Sequence, residues 1–199
     1  MDAKFVYLKD FVFQLELDHG FEKNQIINDF QNEEFEEPPG AYGQTGFSLR
    51  RDVEDKKIKS PRLQIISDYF RSDIFKKLMI DTFYSRSGFA GNWAISPERM
   101  FEITVSLGNI VCDKPGHNTN IHLDNRCLVA AGMCYFSEQD DPDISTYFFD
   151  TKERTNPIRI PTNFSTGWLA ANMHDSWHDG YNKSNYDRYT VMYGLALKI

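Results

Sequence analysis

No apolar run in this sequence reaches the roughly 18 residues that a membrane-spanning helix requires, so a membrane span is not expected. The opening stretch MDAKFVYLKDFVFQLELDHG carries an early acid, charged interruptions and no small-residue cleavage site. It is not expected to be a signal peptide. Cysteine is scarce: Cys112, Cys127 and Cys134 make an odd set with no Cys-x-x-Cys pair. Free thiols in a reducing, cytoplasmic compartment follow as the expectation, with Cys127 and Cys134 in or beside buried strands. Positive charge is also short. A net charge of -7 and a pI of about 5.2 give no counterion-release drive toward nucleic acid. The small basic patch Arg50-Arg51 with Lys56-Lys57 is expected to be a solvated loop. There is no internal repeat.

What is present suits one domain over all 199 residues, long enough to bury a core without disulfides or a structural metal. Hydrophobic residues make up 41% and aromatics 15%, led by 16 Phe and 10 Tyr, a composition that favours packed strands. Residues 4–17 alternate in part and predict strands or a strand-turn-strand. Ile26, Ile27 and Phe30 predict a short helix over 21–30. Residues 31–60, with NEEFEEPPGAYGQTG inside them, predict a loop, disordered or closing as a lid. A short strand is expected around Leu63-Gln64-Ile65-Ile66, then a helix capped by Ser67 or Ser72 running to about Tyr84 and burying Phe75, Leu78, Met79 and Phe83. Residues 101–112 predict a buried strand or pair of strands.

Beyond that point the pattern is rich in strands. They are predicted at 120–124, 127–136, 145–149, 157–160, 167–172, 175–179 and 187–197. Turn signals separate them, among them Asp113-Lys114-Pro115-Gly116, Asp140-Asp141-Pro142-Asp143 and Asp179-Gly180. Many short strands with regular breaks predict a sandwich or barrel. The fold class is therefore α+β, mainly β: N-terminal strands and helices over 1–100, packed on a jelly-roll-like double-stranded β-helix over 101–199.

The chemistry centres on Asn120-Ile121-His122-Leu123-Asp124. Strand residues two apart share a face, so His122 and Asp124 project together and converge on one cation. One imidazole and one carboxylate are two-thirds of the facial triad that holds non-haem Fe(II) with positions left open. Alone, the pair also fits a strand-end histidine bonded to a surface aspartate. The third ligand lies farther on, in Asn172-Met173-His174-Asp175-Ser176-Trp177-His178. His174 and His178 share parity, and the residues downstream favour His178. Arg188 comes ten residues after it, across a turn containing Gly180, and Thr190 shares the face of Arg188. A buried inward arginine needs an anion, its planar fork suits a carboxylate, and a threonine hydroxyl adds a donor. Taken singly, Arg188 fits equally an exposed position or a salt bridge to Asp187 or Glu102. His117 is expected in a loop and His19 in a turn. Asn120, Tyr135 and Trp177 are expected near the pocket.

The segment 109–197 resembles the catalytic core of the Fe(II)/2-oxoglutarate-dependent oxygenases. The resemblance rests on Asp113-Lys114-Pro115-Gly116 before His122-x-Asp124, the strand LVAAGMCYF, Pro161 and Gly167 before Ser176-Trp177-His178, and Arg188-Tyr189-Thr190. It implies an iron held by His122, Asp124 and His178, and 2-oxoglutarate whose distal carboxylate meets Arg188 and Thr190, with Tyr135 and Asn120 nearby. It implies hydroxylation of a small-molecule, peptide or protein substrate with release of succinate and CO2. The chain departs from the animal-type prolyl hydroxylase branch, where a lysine commonly replaces the arginine. It also has Ser145-Thr146-Tyr147 where a Gly-Gly precedes the fourth core strand. The first 100 residues carry no resemblance of this kind. Two other classes fit the pattern less fully: a non-catalytic or differently metallated cupin-like binding module, which needs no inward Arg188, and a purely structural β-protein, which needs no metal.

Overall fold

Alternation at the N-terminus produces a hairpin: β1 (Asp2–Lys9) pairs antiparallel with β2 (Val12–Asp18). The computed structural model describes residues 1–9, 11–35, 45–50 (backbone only), 58–85, 94–124, 127–138, 140–172 and 176–198. Next come α1 (Lys23–Gln31), β3 (Thr45–Arg50), α2 (Pro61–Arg71), α3 (Asp73–Tyr84) and α4 (Pro97–Ile103). The rest is strand: β4 (Thr104–His122), β5 (Leu128–Tyr135), β6 (Ile144–Phe149), β7 (Ile158–Ile160), β8 (Thr166–Ala171), β9 (Trp177–Asn182) and β10 (Arg188–Leu197).

Serines set the helix starts. Ser60, Ser72 and Ser96 each accept a hydrogen bond at Oγ from the backbone N–H three residues on, at 3.3, 3.2 and 3.2 Å. Pro61 and Pro97 occupy first-turn positions, where a missing N–H costs nothing. This corrects two expectations. The strand expected at Leu63–Ile66 is part of α2, because Leu63, Ile66, Ser67 and Phe70 recur at helical spacing and form its buried stripe. The start of the strand expected at 101–112 is helical to Ile103. The expected helix to Tyr84 is present as α3, capped by Ser72, and buries Phe75, Met79 and Phe83.

The loop expected over 31–60 also differs. Backbone 45–50 forms β3, which pairs with β4. Residues 36–44, 51–57 and 173–175 lie outside those described, and with them the expected lid, most of the basic patch and His174.

The antiparallel path runs β1-β2-β8-β5-β10-β4-β9-β6-β7 and curls as a jelly roll. The curl turns on β4. Its first part, Thr104 to Asp113, pairs with β10, and its last part, Asn118 to His122, pairs with β9. Between them sits Asp113-Lys114-Pro115-Gly116, expected to be a turn. It is instead the place where one strand changes partner, with Gly116 at φ 85 supplying the bend.

Strand alternation splits the buried residues into two cores. One face of β5, β8 and β10 gives Ala130, Cys134, Leu169, Val191, Tyr193 and Leu195 to a core shared with Phe70, Phe75, Met79 and Phe83 of the helices. Tyr193 stacks on Phe70 with centroids 4.7 Å apart. Gly132 lies opposite it, and a Cβ there would be only 2.4 Å from the tyrosine ring, so only glycine fits. The other face gives Ala131, Tyr135, Trp168 and Ala170 to a core inside the roll with Val12, Phe148 and Ile160. Arg188 and Thr190 also point inward there, 1% and 0% exposed. None of the three cysteines is in a disulfide. Cys112 and Cys134 are buried, whereas Cys127, on the turn just before β5, is exposed.

Candidate metal centre and cosubstrate pocket

His122, at the end of β4, is the cross-strand partner of His178 on β9, and Phe148 of β6 is the next residue across. Asp124 comes two residues after His122. One ligand atom from each of His122, Asp124 and His178 lies within 4.8 Å of the others. Nε2 of His122 is 3.9 Å from Asp124 Oδ1, and Nε2 of His178 is 3.8 Å from Asp124 Oδ2. Ligands about 2 Å from a shared ion lie roughly 3 Å apart, so a closure of about 1 Å completes the set.

Both imidazoles are held by their other nitrogen. Nδ1 of His122 meets the Asn120 carbonyl at 2.8 Å, and Nδ1 of His178 meets the Ser176 carbonyl at 3.0 Å. An N–H at Nδ1 donates to each carbonyl, which leaves both Nε2 lone pairs turned to the cluster. Burial lowers the pKa of His178, opposed by Asp124 and reinforced by His122, so the ring stays neutral and ligand-competent. Phe148 stacks on it at 5.2 Å and Trp168 lies 5.5 Å away. The rim is more open: the side chains of His122 and Asp124 are 36% and 21% exposed. Two imidazoles and one carboxylate on one side of a point fit iron(II) with coordination positions left over.

One row deeper, Thr119 of β4, Gly180 of β9 and Thr146 of β6 lie side by side. A Cβ on Gly180 would fill a space bounded by Thr119 Oγ1, Thr146 Oγ1 and Arg188 Nη2, at 3.2, 3.6 and 3.8 Å. Tyr135 is fully buried. Its hydroxyl donates to Thr146 Oγ1 at 2.7 Å and accepts from Trp168 Nε1 at 3.0 Å. Burial pushes the Tyr135 pKa up, so it remains a donor, and the Thr146 hydroxyl keeps its own proton to give. Thr190 Oγ1 is buried with no hydrogen-bond partner among the described residues. An unsatisfied hydroxyl, a cradle that a Cβ would fill and an arginine with spare donors fit the anionic end of a cosubstrate.

Arg188 has a carboxylate of its own, and it is neither Asp187 nor Glu102. Asp113, directly opposite on β4, accepts from Nε and Nη2 through Oδ2. Nη1 donates to the Tyr181 carbonyl at 3.4 Å. Asp187 pairs with Lys114 at 2.6 Å and Glu102 with Arg99 at 2.9 Å.

The other expected residues divide between the site and its surroundings. The Asn120 side chain is exposed, and it is the carbonyl of Asn120 that touches the site, through His122. Trp177 is on the opposite face of β9 from His178, beside Phe149 and 5.9 Å from the Lys152 ammonium. Trp168 and Phe148 fill the place expected for it. His117 is in β4 and buried, not in a loop. Asp113, Thr146, Phe148, Trp168 and Gly180 were not anticipated. Alternation along 144–149 and 177–182 carried the signal for Thr146, Phe148 and Gly180.

No family model matches the chain, and no curated protein matches it in sequence. Solved structures do match in shape. A prolyl-4-hydroxylase from Pseudomonas putida superimposes with a TM-score of 0.60 at 9% identity, covering 95% of this chain and 94% of that one. A Trichoplax adhaerens prolyl hydroxylase, in complex with a hypoxia inducible factor peptide, gives 0.57 at 15% identity over 87% and 75%. HygX from Streptomyces hygroscopicus, with nickel, 2-oxoglutarate and hygromycin B bound, gives 0.55 at 11% identity over 96% and 85%. The fold is that of the 2-oxoglutarate/iron(II) oxygenases. Within this oxygenase fold, His122, Asp124 and His178 cluster among strands β4 and β9 at the rim of the roll, and Arg188 lies deeper inside it.

Proposed function

We propose that this protein is an iron(II)- and 2-oxoglutarate-dependent oxygenase that hydroxylates a small molecule or a peptide. The observation that carries the reading is the convergence of His122, Asp124 and His178, with both histidines held through Nδ1, on the inward face that also bears Arg188 and Thr190. The two parts are suitably spaced. Two strand positions, about 7 Å, separate His178 from Gly180, and Arg188 Nη2 lies 3.8 Å from the Cβ direction of Gly180. A five-carbon 2-oxo diacid reaches from one to the other.

Iron bound there with 2-oxoglutarate supplies oxidative decarboxylation to succinate and CO2 with transfer of one oxygen atom of dioxygen to a C–H bond. The protein does the rest. His122, Asp124 and His178 would hold the ion from one side and leave positions open for the cosubstrate. Arg188 and Thr190 orient the distal carboxylate, and the Thr146 hydroxyl donates into the same space. Phe148 and Trp168 keep water from the buried side of His178. Substrate enters past His122 and Asp124, the exposed members of the set.

The substrate class follows the ligands bound by two structures of similar fold, a peptide in one and hygromycin B in the other. The acidic surface, net charge -7, disfavours nucleic acid. A cytoplasmic, reducing setting belongs to the same reading, in keeping with three cysteines that form no disulfide. No helix among the described residues is long and apolar enough to cross a membrane.

The test is anaerobic addition of Fe(II) and then 2-oxoglutarate, with the weak visible charge-transfer band as readout, followed by succinate release against a panel of amino acids, peptides and small molecules. The band is the expected result. Metal binding without any response to 2-oxoglutarate is what a differently metallated cupin-like module gives instead.

A further inference from the structure

Asp113 is the feature that the proposed function does not use. Its carboxylate is 2% exposed and faces Arg188 across the β4–β10 ladder. Oδ2 accepts from Nε and Nη2 of the guanidinium, and Oδ1 lies 3.9 Å from His117 Nε2. A guanidinium has five N–H donors. Asp113 takes two and the Tyr181 carbonyl a third, so among the described residues two remain for a ligand. The donors therefore suffice for a second carboxylate, but the charge does not. Arg188 and Asp113 sum to zero inside the roll. A ligand carboxylate arriving there makes two anions on one cation in a water-poor space, where like charges oppose one another strongly.

Resting on the cosubstrate reading above, we propose that Asp113 is a specificity-determining residue of the 2-oxo acid pocket: it competes internally for Arg188 and weakens the hold on a distal carboxylate. The first half of the 2-oxo acid, chelated at the metal, does not feel it. A 2-oxo acid with an uncharged tail of the same length does not feel it either. Asp113 thus sets how much of the binding comes from the distal carboxylate, and makes the pocket more tolerant of uncharged tails than a lone Arg188 would be.

The experiment is calorimetric titration of the Mn(II)-loaded protein, without oxygen, at pH 8, where an ordinary histidine is neutral. The probes are 2-oxoglutarate and 2-oxopentanoate, and the proteins are the wild type and Asp113→Asn. Asparagine keeps the shape and removes the charge. The expected result is 2-oxoglutarate binding about tenfold tighter in the variant, as relief of like-charge crowding implies, with 2-oxopentanoate changed by less than about twofold. Unchanged or weaker 2-oxoglutarate binding in a folded variant overturns the proposal and makes Asp113 a mere prop for Arg188. The wild type supplies a second measurement that needs no variant. It is expected to prefer 2-oxoglutarate over 2-oxopentanoate by less than about tenfold, and a preference of about a hundredfold or more, some 2.7 kcal/mol, overturns the proposal. Mn(II) binding with no binding of either 2-oxo acid, in both proteins, overturns the cosubstrate reading itself and the proposal with it. Failure of the proposal alone leaves both acids bound.

Discussion

His122 and His178 face each other across the β4–β9 ladder with ring centroids 4.4 Å apart, and each fixes its Nδ1 on the carbonyl two residues earlier in its own chain. The matched arrangement leaves each ring one free nitrogen, and both point at Asp124. It predicts which substitutions abolish metal binding. His122→Ala, Asp124→Ala and His178→Ala are each expected to weaken Fe(II) or Mn(II) binding by more than about a hundredfold, beyond the cost of losing an outer partner of a ligand. His174→Ala is expected to leave most of the binding. Titration of the metal into the four variants checks this, and equal loss from His174→Ala rejects the ligand set.

Buried charges impose a second expectation. Removing one partner of a buried ion pair strands the other, at a cost of about 3–5 kcal/mol. Arg188→Gln leaves the Asp113 carboxylate inside the roll with no cation on Oδ2. It is therefore expected to destabilise the metal-free protein by an amount of that order. The double variant Asp113→Asn with Arg188→Gln is expected to recover a substantial part, since neither charge remains. Urea unfolding of the wild type, both single variants and the double variant gives the coupling directly. A double variant no more stable than Arg188→Gln shows that the pair is not what stabilises this corner.

These two cases mark where the sequence was legible. His122, Asp124, His178, Arg188 and Thr190 are brought to one face because strand parity and spacing are local rules, readable without coordinates. The partner of Arg188 was not legible. Asp113 lies 75 residues away, in a run whose Pro115-Gly116 read as the end of a strand. Only pairing with two different strands reveals that the chain continues through it. The strand expected at Leu63–Ile66 failed for the opposite reason. Two adjacent isoleucines gave a local β signal, and the Ser60-Pro61 start and the Leu63, Ile66, Phe70 stripe outweighed it. Asn120 was expected near the pocket, but its position at the exposed rim leaves its side chain in solvent and its carbonyl to hold His122.

His19 gives a prediction on pH. Expected in a turn, it is 8% exposed and sits among the rings of Phe21, Phe136 and Phe164. Its Nδ1 accepts from the Phe21 N–H at 3.0 Å, so its proton is on Nε2, which meets Ser165 Oγ at 2.8 Å. Burial lowers its pKa from 6.5, with Asp18 opposing. The unfolded chain therefore binds this proton first, and stability rises with pH wherever that holds. Its contribution is intact above about pH 6.5 and is lost as pH falls from there through the lower folded value. Denaturant unfolding at pH 7.5 and pH 5 is expected to show a smaller fall for His19→Asn than for the wild type. Equal falls assign the pH dependence to other groups.

Thr190 separates a hydroxyl kept for structure from one kept for a ligand. Its Oγ1 is buried without a partner among the described residues, whereas nearby Thr119 and Thr146 are both engaged. A buried unsatisfied hydroxyl costs about 1–3 kcal/mol, and valine has nearly the same shape without that cost. Thr190→Val is therefore expected to leave the ligand-free protein as stable as the wild type or more so. The same change is expected to weaken 2-oxoglutarate binding several-fold, because the distal carboxylate loses a donor beside Arg188. Melting temperature without ligand and calorimetric affinity with Mn(II) and 2-oxoglutarate are the two readouts, and they should move in opposite directions. A structural hydroxyl would move them together, with the variant less stable and cosubstrate affinity falling only as far as the fold is loosened.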